Sequence, residues 1–192
     1  MLVTLEGIDG SGKTTAIEAL RKAFPKAVFT SEPTGSWYGE AVNRSILTSD
    51  ADPLSELFLY MADHAYHLHN TILPAIEIGS LVISDRYIDS RYAYQSVSLD
   101  KILPDPLTYL KNIHQPWTLM PDLTLYFDIS PTIGAKRSGS TNKFEQVPFL
   151  TKVHHAFEKI MLAEPERFKR IDASLPPEEL ALIAIESISS KL

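Results

Sequence analysis

The feature that most constrains this chain is an eight-residue run near its N-terminus, Gly7-Ile8-Asp9-Gly10-Ser11-Gly12-Lys13-Thr14. It fits the pattern G-x-x-x-x-G-K-[ST], in which glycines let the backbone curl until several N–H groups converge on one point. The residues before it, 2–5, are apolar and β-forming. Residues from Lys13 to about Phe24 read as a helix that Pro25 stops. Strand, glycine loop and helix in that order set an anion-binding nest at a helix N-terminus. Gly7, Ile8, Asp9, Gly10, Ser11, Gly12, Lys13, Thr14 and Thr15 are therefore the expected ATP-binding segment. Lys13 is expected at the β- and γ-phosphates and Thr14 on a magnesium ion.

The rest of the chain continues the alternation. Residues 28–30, 81–84, 123–127 and 168–171 read as strands. Helices are predicted over 39–47, 53–78, 88–98, 105–113, 147–163 and 176–189, with a short one from Pro131. Asp52 followed by Pro53 marks a helix start, and Pro74 is a candidate kink. This is the pattern of an α/β protein. With the phosphate loop it resembles the three-layer P-loop NTPase fold, which implies a five-stranded parallel sheet in the order 2-3-1-4-5 flanked by helices. The 192 residues, 44% of them hydrophobic, form one predicted domain.

Bulk properties remove several function classes. A net charge of −6 argues against a large nucleic-acid interface. The absence of cysteine excludes disulfides and thiolate chemistry, and the six histidines lack the H-E-x-x-H spacing of a zinc site. No basic leader or 18-residue apolar run occurs, so the chain is expected to be cytoplasmic, with no membrane partner. Within the nucleotide-binding class there is no N-K-x-D guanine reader, and the chain is small and acidic for a motor ATPase. A kinase needs a second phosphate site. Asp85-Arg86, following the apolar run 81–84, falls where α/β proteins gather ligands: Asp85 on the metal ion, Arg86 on a phosphate.

These elements together resemble the thymidylate kinase family over nearly the whole chain. The resemblance rests on LEGIDGSGKTT at 5–15, EP at 32–33, LFLYMADHAYH at 57–67, ISDRYIDSRYAYQ at 83–95, PDLTLYFD at 121–128 and RFKRIDAS at 167–174. It implies ATP-dependent phosphorylation of dTMP to dTDP with Mg²⁺, in a homodimer to which helix 53–78 contributes. The alternatives are a kinase for another pyrimidine nucleotide or a deoxynucleoside, dUMP among them, and a nucleotide-sensing protein without turnover.

Carried across, the resemblance places Asp9, Glu32, Arg44 and Arg86 near the acceptor phosphate and sugar. Tyr60 takes the place of the base-stacking aromatic ring, and Tyr94 and Gln95 line the base and sugar pocket. Residues 32–78 become an acceptor-binding region and 137–146 a lid. Some family members carry an arginine in the phosphate loop just after its Asp; Gly10 stands there, so the chain resembles the subgroup whose lid supplies the cation. Arg137 is the expected catalytic lid cation beside Asp9, Lys13 and Arg86, with Lys136 and Lys143 behind it. Arg137 or residues 172–174 are expected near adenine. The chain departs from the family at Ser31, at His64 and at Lys143, each where the family often has arginine. Arg91, where the family has a small residue, is the expected compensating donor in the acceptor pocket. His64 is expected to donate a hydrogen bond there and to make acceptor binding pH-sensitive.

Overall fold

A buried parallel sheet requires strands that are apolar on both faces, and the first strand meets that demand: every residue of β1, Leu2–Glu6, is buried. The computed structural model describes residues 1–48, 50–139 and 142–192. In it β1 is the central strand of a five-stranded sheet with β2 (Val28–Ser31), β3 (Val82–Asp85), β4 (Leu123–Asp128) and β5 (Phe168–Asp172). The order is β2-β3-β1-β4-β5 and every neighbouring pair is parallel, as expected from the sequence. Chain order reverses at β1, which lies between β3 and β4. The crevice beyond the C-terminal ends of these strands is the natural ligand site of such a sheet.

Helices pack around the sheet. They are α1 (Lys13–Ala23), α2 (Trp37–Ile46), α3 (Pro53–His67), α4 (Leu73–Glu77), α5 (Ile88–Ser98), α6 (Pro106–His114), α7 (Pro131–Ser138), α8 (Val147–Ala163) and α9 (Pro177–Ser189). α1 lies beside α9, α2 beside α3, and α5 against both α6 and α8. Two starts are set by aspartate caps backed by proline. Asp52 accepts from the Ser55 N–H at 2.7 Å and Asp105 from the Thr108 N–H at 3.2 Å. Such a cap contributes about 1 kcal/mol.

The predicted helix over 53–78 is not one regular helix. α3 ends at His67, a π-helical turn spans Leu68–Ile72, and α4 follows. Pro74 supplies the reason: it has no N–H for the carbonyl four residues back, and its ring crowds that carbonyl, so the regular ladder cannot pass. The apolar stripe at 57, 60, 68 and 72 faces the core, while Phe58 is 52% and Leu73 36% exposed on the outer side. Among the described residues no helix is long and apolar enough to cross a membrane.

Candidate active site

The loop between β1 and α1 performs as its glycines predict. Gly12, with φ of 91°, caps α1 without a side chain, leaving the first-turn N–H groups directed at the cleft. The Lys13 ammonium lies within the loop, donating to the carbonyls of Gly7 and Ile8 and to Ser11 Oγ, each at 3.1 Å. Burial, and then the nearby Arg86 charge, pull its pKa down to about 8 against the opposing pull of Asp85 and Asp9. Thr14 and Asp85 line the same cleft, and Asp85 Oδ1 is buried with no hydrogen-bond partner. An orphaned carboxylate oxygen in a cleft that also offers the Thr14 hydroxyl suits a hard divalent cation such as Mg²⁺.

Gly10 explains where the second cation of the cleft comes from. Its φ is +75°, and a Cβ built on it would stand 2.3 Å from the Gly134 carbonyl oxygen and 2.9 Å from Arg137 Cβ. α7 thus packs directly on the loop at a place where no side chain fits. Gly134 answers in kind, since a Cβ there would lie 2.8 Å from the Asp9 carbonyl oxygen. This approach brings Arg137 to the cleft wall, where its Nη1 donates to the Ala173 carbonyl at 3.2 Å. Arg137 and the 172–174 segment are therefore neighbours. Lys136 is exposed on α7.

Arg86 is held from four sides. Its backbone takes the left-handed φ of 65°, unusual for a side-chain-bearing residue, and Ser84 Oγ donates to its carbonyl at 2.7 Å. Its Nη1 donates to the Gly7 carbonyl at 2.9 Å and to Ser90 Oγ at 3.0 Å, and its Nη2 to Asp9 Oδ1 at 2.5 Å. Tyr94 donates its hydroxyl to the other Asp9 oxygen at 3.0 Å. Burial raises the Asp9 pKa, but the charges of Arg86 and Lys13 outweigh it and hold the carboxyl below its ordinary value. Behind Arg86, Ser90 donates to the buried Glu6 carboxyl, whose pKa burial and then Asp89 push up to about 8. Neither Glu6 nor Ser90 was singled out in the sequence. Ser90 lies four positions after Arg86, in the first turn of α5.

A second cavity shares Asp9, Glu32, Pro33 and Arg86 with the first and extends between α3 and α5. It contains the expected Tyr60, Arg91, Tyr94 and Gln95, together with Ile46 and Phe144, which sequence reasoning missed. The Arg91 guanidinium lies 4.0 Å over the Tyr60 ring and donates to Glu32 Oε2 at 2.9 Å. Arg91 Nε and Gln95 Nε2 are buried with no hydrogen-bond partner. The Glu32–Pro33 peptide is cis.

The structure places three of the expected acceptor and lid residues elsewhere. His64 is buried behind Glu32 rather than in the cavity: its Nδ1 stands 2.7 Å from Glu32 Oε1, and His67 Nδ1 is 2.9 Å from the same oxygen. Burial would raise the Glu32 pKa, but His64, His67 and Arg91 together hold it well below the usual carboxylate range. Arg44 is exposed on α2 and does not line either cavity. Lys143 turns to Glu56, away from the phosphate loop. The lid residues at 140 and 141 lie outside the described residues.

Comparison with known proteins bears on this arrangement. The family profile described as thymidylate kinase matches residues 5–182. The chain is 54% identical over 194 residues to a probable thymidylate kinase of Natronomonas pharaonis, covering 100% of this chain and 99% of the relative. It is 56% identical to that of Halorubrum lacusprofundi, covering 100% and 98%. Its identity to that of Methanococcoides burtonii is 48%, covering 98% and 96%.

Proposed function

Because the chain belongs to the thymidylate kinase family, we propose that it transfers the γ-phosphoryl group of ATP to the phosphate of dTMP, giving dTDP and ADP. The observation that carries this reading is the shared wall of the two cavities. Asp9 and Arg86 border both the phosphate-loop cleft and the aromatic cavity, so a donor in one and an acceptor in the other would meet there.

In the reaction, an oxygen of the acceptor phosphate bonds to the γ-phosphorus as the bond to the β–γ bridging oxygen breaks, and ADP leaves with that electron pair. The nucleophile is already an anion, so no general base is required; alignment and charge stabilisation do the chemistry. The loop N–H groups and Lys13 hold the donor phosphates. Arg86, braced by Gly7, Ser90 and Asp9, presents a fixed fork to the transferring group, and Arg137 adds a second cation from α7. Thr14 and Asp85 would hold Mg²⁺, which offsets the charge of the phosphate oxygens when bound.

In the aromatic cavity Tyr60, Tyr94 and Phe144 offer flat apolar surface to the base. Arg91 and Gln95, which also line the cavity, are the candidate donors to its polar edge. Arg91 supplies from α5 the charge that the family pattern more often brings from position 64. The outward Phe58 and Leu73, 52% and 36% exposed, suit a homodimer contact. Sedimentation of the wild type and of Phe58→Glu tests that part.

An ADP-release assay with Mg-ATP and dTMP, dUMP, dCMP, dGMP, UMP and thymidine decides the function. Preferential turnover of dTMP is expected. Preference for thymidine, or turnover of none, refutes the proposal. Arg91→Ala is expected to raise the dTMP KM; an unchanged KM removes Arg91 from the acceptor site.

A further inference from the structure

Lys143 has a place in the fold that charge stabilisation at the phosphates does not explain. Its ammonium reaches Glu56 Oε2 in the first turn of α3 at 2.5 Å, and the carbonyls of Ser45 and Thr48, at the end of α2, at 3.3 and 3.4 Å. Three acceptors match the three donors of an ammonium, and all three belong to α2, the residues just after it, and α3 rather than to the phosphate loop. Glu56 is built for the contact. Its side chain is 2% exposed and the same oxygen accepts from Ser45 Oγ at 2.7 Å.

The residues on either side of Lys143 reach the cavity, and the Lys143 ammonium lies 5.1 Å over the Phe144 ring. Asn142 and Phe144 line the aromatic cavity, across from Ile46 of α2. Phe144 is 6% exposed and meets Tyr94 edge-on at 5.9 Å. The turn is internally tied, with the Phe144 N–H donating to Asn142 Oδ1 at 2.9 Å and Asn142 Nδ2 to Glu145 Oε1 at 2.9 Å. One short stretch therefore walls the cavity with its first and third residues. Its middle residue fastens that wall to α3, 87 positions away in the chain, and to the end of α2, 98 positions away.

We propose that Lys143 and Glu56 are positioning residues of the acceptor site: their ion pair holds Asn142 and Phe144 in place as the outer wall of the cavity that receives the nucleoside monophosphate. The inference rests on the kinase reading for its ligand, and on the geometry alone for the wall.

The test compares Lys143→Met, Glu56→Gln, the double variant and Lys143→Arg, with thermal melting to confirm folding. Lys143→Met and Glu56→Gln are each expected to raise the dTMP KM roughly tenfold, with the ATP KM changed less than about twofold. The double variant is expected to be no worse than the weaker single, and Lys143→Arg to recover most of the loss. A fall in kcat or a rise in the ATP KM with Glu56→Gln silent would mean that Lys143 serves the phosphates, and overturns the proposal. So does a drop in melting temperature with both KM values unchanged. If the wild type prefers another nucleotide, the same ratios are read on that acceptor. If it turns over none, the kinase reading fails alone, and chymotryptic cleavage after Phe144 decides the wall. Cleavage is expected about tenfold faster in Lys143→Met than in the wild type; equal rates overturn the proposal.

Discussion

Glu32→Gln isolates a buried carboxylate that two imidazoles and a guanidinium surround. The Glu32 side chain is 2% exposed and receives three contacts, from His64 Nδ1 at 2.7 Å, His67 Nδ1 at 2.9 Å and Arg91 Nη2 at 2.9 Å. Glutamine keeps the shape and one accepting oxygen. Its amide must then point N–H groups either at the two imidazole donors or at Arg91. In both orientations the Arg91 guanidinium, 3% exposed, loses the charge that neutralises it. Removing one partner of a buried pair costs about 3–5 kcal/mol, a large share of a total stability of roughly 5–15 kcal/mol. The melting temperature should fall by about 6–20 °C. The pH profile adds a second readout. In the unfolded chain Glu32 titrates near 4.5, and in the folded one well below that. As pH falls, the unfolded state takes up the proton first. The stabilisation is thus complete above about pH 4.5 and drains away below it. Glu32→Gln should flatten that acid decline, and adding Arg91→Met should return part of the lost stability by removing the stranded charge. Urea melts at pH 7 and pH 4 measure both effects. A loss below about 1 kcal/mol at pH 7, or an unchanged acid slope, refutes the argument.

Other outcomes follow from single contacts. His114 is fully buried, and burial lowers its pKa from 6.5 to about 4. The unfolded state therefore binds the extra proton between those values, and about 3 kcal/mol of stability should be lost as pH falls from 6.5 to 4; His114→Phe should remove that decline in acid melts. Arg86→Met, which takes away the fork at the shared wall, should lower kcat by about 100-fold or more in protein that thermal melting shows to be folded; a kcat within tenfold of wild type would remove Arg86 from the reacting group. Lys13→Met should abolish detectable ATP turnover, and calorimetry should show ATP affinity lost with it.

The strands and most helix limits were legible because they follow from local pattern, whereas the sheet order was implied by the P-loop fold that the phosphate loop resembles. Apolar strands alternate with periodic helices, and proline or glycine marks the ends. The helices at 88–98 and 147–163 fall where the periodicity puts them. The phosphate loop was legible because its chemistry is local to eight residues. What was not legible depends on which side chains meet across distant elements. His64 is one helical turn from Tyr60, and spacing alone points it toward the same cavity. Only the position of Glu32 beyond β2 shows that it turns to a buried carboxylate instead. Lys143 reads as one more cation in a basic stretch until Glu56, 87 residues earlier, is brought beside it. Phe144 and Ile46 carry no motif, and the π-helical turn at Leu68–Ile72 is visible in advance only as the proline that follows it.

The contact between Gly10 and Gly134 has a consequence for how such a protein can change over time. An arginine on the loop at position 10 and an α7 pressed against that loop exclude each other, since the space of the first side chain is the backbone of the second. Moving the loop-side charge from α7 to the loop therefore needs at least two concerted changes: a side chain at 10 and a withdrawal of the helix that carries Arg137. Either change alone passes through a protein with a strained loop or a cleft short of one positive charge. Two solutions of this kind are separated by a valley rather than joined by a path of single neutral steps.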